Sequence, residues 1–147
     1  MGKCIGHVSG LVAMDCRSAH VSSESGLGTG ISTGALIRHG INTTIVELDP
    51  AVYDAARTYF GLPDPGEGNV HIQDARRWVF QHARALSEGT TNKKFDIVIH
   101  DLFSGGGVPA DLFTKQFWTA LKSIIDEEAV VVVVRSSLLE LAVSIED

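Results

Sequence analysis

Short apolar runs alternate with longer amphipathic segments along most of the chain. From Gly26 onward, stretches rich in β-branched residues are separated by segments whose apolar residues recur at helical spacing. The predicted strands are Thr43–Leu48, Asn69–Gln73, Phe95–His100 and Val130–Val134, and the predicted helices are Ile31–His39, Pro50–Phe60, Ala75–Leu86 and Thr114–Ile125. This order predicts an α/β protein with a doubly wound, mostly parallel sheet covered by helices.

The same pattern divides the chain into three parts. Residues 26–134 carry the alternation and form the predicted domain, residues 1–25 form an atypical N-terminal segment, and residues 135–147 form a short, partly apolar tail. Gly40 stands where a left-handed residue would end the first helix, and Pro50 is suited to the first turn of the second.

Composition narrows the classes of partner. The 147 residues include 18 acidic and 12 basic side chains, a net charge of -6, which argues against binding to a phosphate backbone. The two cysteines, Cys4 and Cys16, have no zinc-site spacing, so neither a metal nor a disulfide is predicted. The longest apolar run, Ala129–Val134, is far shorter than the about 20 residues of a membrane helix. We therefore predict a cytoplasmic protein with no nucleic-acid partner and no membrane segment.

Candidate chemistry lies at the predicted strand ends. The glycine loop Gly26–Gly30 and the acids Glu47, Asp74 and Asp101 would converge on one crevice, because ligands of doubly wound sheets bind beyond the carboxyl ends of the strands. Glu47 follows Gly28 by 19 positions, close to the offset of about 20 residues between a nucleotide loop and the acid that binds its ribose. The sequence predicts a nucleotide site; a plain glycine turn with a solvated Glu47 is the alternative.

The glycine spacing does not identify which nucleotide the loop would bind. The loop is of the form GxGxG, and a GxGxxxG pattern through Gly28, Gly30 and Gly34 allows a nicotinamide cofactor. A nicotinamide oxidoreductase also needs a residue that handles hydride transfer, such as a Tyr/Lys pair, and Tyr53 and Tyr59 lie together on one predicted helix. An oxidoreductase is therefore not the favoured function.

Four motifs occur in the order of a known family. They are Gly26-Leu27-Gly28-Thr29-Gly30, Val46-Glu47-Leu48-Asp49-Pro50, Gln73-Asp74-Ala75-Arg76 and Phe95-Asp96-Ile97-Val98-Ile99-His100-Asp101. Together they resemble the spermidine synthase family of the S-adenosylmethionine-dependent methyltransferase superfamily, over roughly residues 26–134. The resemblance implies a Rossmann-like fold and transfer of a methyl or aminopropyl group by in-line displacement at a sulfonium.

The resemblance also implies a cofactor site. The cofactor would be S-adenosylmethionine or its decarboxylated form, with no metal. The residues carried over as cofactor-binding are Gly26, Gly28, Thr29, Gly30, Glu47, Leu48, Asp74 and Ala75. In that arrangement Glu47 holds the ribose hydroxyls, Asp74 accepts from the adenine amino group, and Leu48 or Ile72 packs on the ring. A helix cap is the alternative role of Asp74, and both roles are compatible.

Asp101 matches the acid that orients and deprotonates the attacking amine in aminopropyl-transferring members. The resemblance therefore makes Asp101 the catalytic residue and a small-molecule amine or polyamine the acceptor. The following residues, Leu102–Gly105, lack the second acid of those members, which favours an acceptor other than a polyamine. The alternative is that Asp101 only caps the loop.

The chain departs from the family at both ends, so the fold is predicted to be incomplete there. Ala19–Ser25 is polar where the family has an apolar first strand, and the strands that follow the fifth are not evident. A noncatalytic remnant that acts as an interaction module is therefore the main alternative to an active transferase. A homo-oligomer is left open. His100 is predicted to face the interior with its hydrogen bonds satisfied, and Trp78 and Trp118 to lie in the core.

Overall fold

A computed structural model describes residues 27–101 and 110–134 of the chain. Within these ranges, helices and strands alternate as the sequence pattern predicts. The elements are α1 (Ile31–Arg38), β1 (Ile45–Glu47), α2 (Pro50–Tyr59), β2 (Val70–Ile72), α3 (Ala75–Ser87), β3 (Phe95–Asp101), a 3-10 helix (Ala110–Phe113), α4 (Lys115–Ile124) and β4 (Ile125–Val134).

The strands form two parallel pairs. β1 pairs with β2, so that Ile45 lies opposite Val70 and Glu47 opposite Ile72. β3 pairs with β4, and Asp101 at the end of β3 lies opposite Val134. Parallel strands connected through helices confirm the α/β class. The expectation for a first strand falls within residues 1–26 and lies outside the described residues.

One apolar core joins the two strand pairs. Val46 of β1 packs in the same buried cluster as Phe95 and Val98 of β3. Helices α3 and α4 cover this cluster with Trp78, Val79, Phe117, Leu121 and Ile124. Trp78 is buried, as predicted, whereas Trp118 is only half-buried and packs against the cluster from α4. The shared core fixes the strand ends that carry the candidate site.

Local sequence signals set the helix ends. The side chains of Asp49, Asp74 and Thr114 accept hydrogen bonds from backbone N–H groups in the first turns of α2, α3 and α4. These residue types are favoured at N-caps because their short oxygens satisfy donors that the helix leaves open. Gly40 follows α1 with a φ of 75°, which confirms the predicted left-handed position.

β4 corrects one predicted boundary. The strand begins at Ile125, which was predicted to end the preceding helix, rather than at Val130. Ile125 pairs with Phe95, and the register then shifts before Val130 pairs with Ile97. The intervening acidic residues 126–128 are exposed, so they extend the strand as an irregular stretch without entering the core.

A polar network ties the opposite, amino-terminal ends of the strands. The Lys93 Nζ donates to Thr44 Oγ1 at 3.2 Å and to Asn69 Oδ1 at 3.1 Å. Asn69 Nδ2 also donates to Asn42 Oδ1 at 2.8 Å. Burial lowers the pKa of Lys93 to about 8. This end of the fold is therefore closed by side-chain hydrogen bonds, away from the glycine loop.

Candidate functional site

The carboxyl ends of β1 and β2 form one edge of the structure. Glu47 and Ile72 are register partners, and the backbone N–H of Gln73 donates to the Glu47 carbonyl at 2.9 Å. Side chains at the two strand ends therefore lie next to each other. Asp101 ends β3 in the other strand pair.

Glu47 attaches the glycine loop to this edge. The backbone N–H of Leu27 donates to Glu47 Oε2 at 2.9 Å, and that of Asp49 donates to Oε1 at 2.9 Å. The residue is only 5% exposed, so the alternative of a solvated glutamate is wrong. Each carboxylate oxygen has two lone pairs, and each of the two oxygens accepts one backbone hydrogen bond here. We name this arrangement the Glu47 clasp.

The glycine loop turns tightly into α1. The Gly30 N–H donates to the Leu27 carbonyl at 2.8 Å, and Gly30 precedes the first helical residue with a φ of 67°. Leu27 and Gly30 are buried, whereas Gly28 and Thr29 are exposed. The loop thus presents Gly28 and Thr29 at the surface while its two ends are fixed below. Gly26 lies outside the described residues.

Gly30→Ala is expected to destabilise the protein by about 2–5 kcal/mol. The left-handed backbone costs any Cβ-bearing residue about 1–2 kcal/mol, and crowding in a packed core adds about 1–3 kcal/mol. A Cβ at Gly30 would lie 3.1 Å from Leu62 Cδ1 and 3.4 Å from Ala56 Cβ. Urea unfolding of the variant and the parent measures the loss.

Gly40→Ala is the matched control for this prediction. Gly40 has a φ of 75°, and a Cβ there would meet nothing within 4 Å. It therefore tests the backbone conformation alone. Equal losses in the two variants would show that crowding beneath the glycine loop contributes nothing.

Asp74 follows β2 and caps the N-terminus of α3. Its Oδ1 accepts from the backbone N–H of Arg77 at 2.8 Å, so the cap that the sequence offered as an alternative is present. The side chain is exposed, and the cap uses one of its two carboxylate oxygens. Ala75 is buried in the core directly after it. Capping therefore leaves a carboxylate oxygen for a ligand, which is the second predicted role.

Two apolar side chains stand out from this edge. Leu48 is 63% exposed directly after β1, and Ile72 is 42% exposed at the end of β2. Exposed aliphatic side chains beside polar strand ends provide surfaces on which a flat ring can pack. Their positions agree with the predicted ring contacts, although the roles of all these residues stay predictions.

The structure places the backbone of Asp101 at the end of β3, where the sequence predicts it. Its side chain and residues 102–109 lie outside the description. The described residues thus bring together the glycine loop, Glu47, Leu48 and Ile72. They do not test the catalytic role of Asp101.

His100 differs from its prediction in one respect. It faces the interior as expected, and it is 0% exposed, but neither ring nitrogen has a hydrogen-bond partner within the described residues. Aromatic rings surround it instead. Alternation along the strand indicates its burial but carries no information about which groups from other elements meet the ring.

In residues 27–101 and 110–134, no helix has the length and apolar character needed to cross a membrane. The same ranges contain no group of three or more His, Cys, Asp and Glu side chains placed to hold a metal ion.

The fold resembles that of solved nucleotide-dependent enzymes. Human Methyltransferase-like protein 13, solved in complex with SAH, superposes with a TM-score of 0.66 at 24% sequence identity, over 79% of this chain and 54% of that one. The structure is therefore a Rossmann-like methyltransferase fold. Residues 13–147 match the Spermine/spermidine synthase domain, and the chain belongs to this family.

The names of two curated relatives specify different transferred groups, methyl and aminopropyl. The N-terminal histidine N-methyltransferase of Emericella nidulans is 42% identical over 108 residues, 74% of this chain and 18% of the relative. The polyamine aminopropyltransferase of Vibrio vulnificus is 33% identical over 88 residues, 60% of this chain and 27% of the relative. The chain thus spans less than a third of the length of either relative.

Proposed function

We propose that the chain is the nucleotide-binding part of an S-adenosylmethionine-dependent N-methyltransferase that acts on an amine. The observation that carries the nucleotide site is the Glu47 clasp beside the exposed side chains of Leu48 and Ile72. Membership of the Spermine/spermidine synthase domain family supports the same proposal.

The residues at this edge fit an adenine nucleoside. The Glu47 carboxylate keeps a free lone pair on each oxygen after its two backbone bonds, enough for two ribose hydroxyls. Leu48 and Ile72 offer aliphatic surface for the ring. The exposed carboxylate of Asp74 can accept from an exocyclic amino group while Oδ1 caps α3.

A bound sulfonium nucleotide supplies a methyl carbon that is activated toward a nucleophile. The acceptor nitrogen would attack that carbon with its lone pair, and the electron pair of the broken carbon–sulfur bond would go to sulfur, which would leave as a neutral thioether. In our proposal Asp101 orients the amine and accepts the proton that the nitrogen loses. Positioning of the amine supplies most of the rate enhancement.

Methyl transfer is favoured over aminopropyl transfer by two observations. The match to the N-terminal histidine N-methyltransferase has the higher identity, 42% against 33% for the Vibrio vulnificus polyamine aminopropyltransferase. Asp101 is also followed by Leu102-Phe103-Ser104-Gly105, without a second acid that would attract a polyammonium substrate. An amine at a peptide N-terminus, with histidine as the first residue, is therefore our first choice of acceptor.

Aminopropyl transfer to a polyamine is the second candidate. The domain family and the Vibrio vulnificus relative support it. It requires the decarboxylated form of S-adenosylmethionine, so the cofactor that binds separates the two candidates.

Thermal unfolding with a series of nucleotides tests the proposal. We expect S-adenosylmethionine and its thioether product to raise Tm by several degrees, because a ligand at about 100 times its Kd adds about 2.7 kcal/mol to the native state. NAD and decarboxylated S-adenosylmethionine, each at the same concentration, are the controls.

Each outcome of that series has a definite meaning. A shift with the decarboxylated form alone would favour aminopropyl transfer, and a shift with NAD alone would contradict both candidates. A cooperative transition that no nucleotide moves would support the noncatalytic remnant. Transfer of labelled methyl to a peptide that begins with histidine, compared with the same peptide acetylated at its N-terminus, then tests the acceptor.

A further inference from the structure

His100 connects the end of β3 to the elements that pack beside it. Its ring centroid lies 5.4 Å from that of Phe113 in the 3-10 helix and 5.4 Å from that of Phe117 in α4, where the two rings stack. The Trp118 ring meets it edge-on at 5.5 Å. We call His100, Phe113, Phe117 and Trp118 the aromatic cage. The cage joins three elements at a single side chain.

Burial in the cage favours the uncharged form of the ring. The imidazole is 0% exposed, and the three aromatic partners offer it no hydrogen-bond acceptor in the ring plane. Burial lowers the pKa of His100 from 6.5 to about 4, and the Leu112 backbone, which approaches the ring without reaching hydrogen-bond geometry, acts in the opposite direction. Val133 of β4, the register partner of His100, adds no titratable group. The ring is therefore neutral at physiological pH.

Asp101 follows His100 on the same strand. The two residues share a planar peptide bond, so a ring that is fixed in the cage also restrains the backbone of the next residue. The backbone of Asp101 is also held by its pairing with Val134. A change in how His100 packs therefore reaches the residue to which we assign the chemistry.

We propose that His100 is a positioning residue: its ring, held in the aromatic cage, fixes the end of β3 and so holds the backbone of Asp101 in place for the transfer. This inference rests on the proposed function. The proposed nucleotide contacts at Glu47, Leu48 and Ile72 lie at or directly after the ends of β1 and β2, which carry none of the cage residues.

Two variants of His100 separate positioning from general stability. His100→Ala removes the ring, and we expect kcat to fall about 10- to 100-fold with KM for S-adenosylmethionine within threefold of the parent, because small displacements of a catalytic group cost large factors in rate. His100→Phe keeps an aromatic ring, and we expect kcat within about threefold of the parent. His39→Ala, at an exposed position after α1, is the control.

Backbone hydrogen exchange gives a second readout that needs no turnover. We expect amides at the end of β3, from Ile99 to Asp101, to exchange at least about tenfold faster in His100→Ala and at the parent rate in His100→Phe. Amides of β1 should exchange at the parent rate in both variants. The measurements are made at a temperature at which all variants remain folded.

The phenylalanine variant should also change the acid response. A histidine whose pKa is lowered on folding adds stability that is present above its unfolded value of 6.5 and is lost as the pH falls toward about 4. The parent should therefore lose up to about 300-fold in its folded-to-unfolded ratio over that window from this group. His100→Phe should lack this contribution.

The outcomes distinguish the two proposals. Unchanged exchange at the end of β3 in His100→Ala, or a phenylalanine variant as impaired as the alanine variant, overturns the role of His100. Suppose that His100→Ala alters hydrogen exchange at the end of β3 while the parent protein transfers no group. That result would support fixation of β3 by the cage and overturn the proposed function. Equal losses of nucleotide affinity and kcat in His100→Ala would show general destabilisation and also overturn positioning.

Discussion

Glu47→Ala is expected to weaken nucleotide binding at least about 100-fold. Hydrogen bonds to a charged partner contribute about 1.5–3 kcal/mol each, and in our proposal this carboxylate holds two ribose hydroxyls. The same change removes the acceptor of the Leu27 N–H, a buried donor, which costs about 1–3 kcal/mol of folding stability. Isothermal titration with S-adenosylmethionine, well below Tm, measures the affinity directly.

Two further variants identify what Glu47 does. Glu67→Ala removes an exposed carboxylate from a loop and should change neither affinity nor Tm. Glu47→Gln keeps the shape of the side chain but replaces one acceptor oxygen with an NH₂ group. That group cannot accept from a backbone N–H, so one of the two bonds of the clasp should be lost. If Glu47→Ala lowers Tm but binds the nucleotide as tightly as the parent, the residue serves only the loop and our site assignment is wrong.

The elements of this fold are predictable because their signals are local. Pro50 and Asp49 mark the start of α2 within two adjacent residues, and Gly40 marks the end of α1. Asp74 both ends a predicted strand segment and caps the next helix. Such signals act through neighbouring backbone groups, so the sequence alone contains them.

The features that sequence did not predict depend on distant partners. The clasp joins Glu47 to Leu27, 20 residues away. The spacing between the glycine loop and Glu47 indicates a nucleotide role, but it does not indicate that backbone N–H groups hold the carboxylate. The start of β4 at Ile125 depends on its pairing with Phe95 in another strand. The cage around His100 likewise requires the packing of α4, which alternation within β3 cannot encode.

The proposed chemistry depends most strongly on Asp101. Asp101→Asn keeps the shape of the side chain but removes its charge and its capacity to accept a proton. General-base assistance contributes about 10²–10⁴-fold to rate, so kcat for transfer to the acceptor amine should fall by a factor in that range. Affinity for S-adenosylmethionine should stay within threefold, because the nucleotide contacts that we propose do not include Asp101. Transfer of labelled methyl to peptide, followed under saturating nucleotide, measures kcat.

Asp96→Asn is the matched control, because Asp96 lies near the amino end of the same strand, β3, and the substitution is chemically identical. It should leave kcat near the parent value. An Asp101→Asn variant that retains more than a third of the parent kcat would reduce Asp101 to a loop cap, the alternative that the sequence left open. A loss of nucleotide affinity that equals the loss of kcat would instead place Asp101 in the nucleotide site, because removal of a purely catalytic base leaves ground-state binding intact.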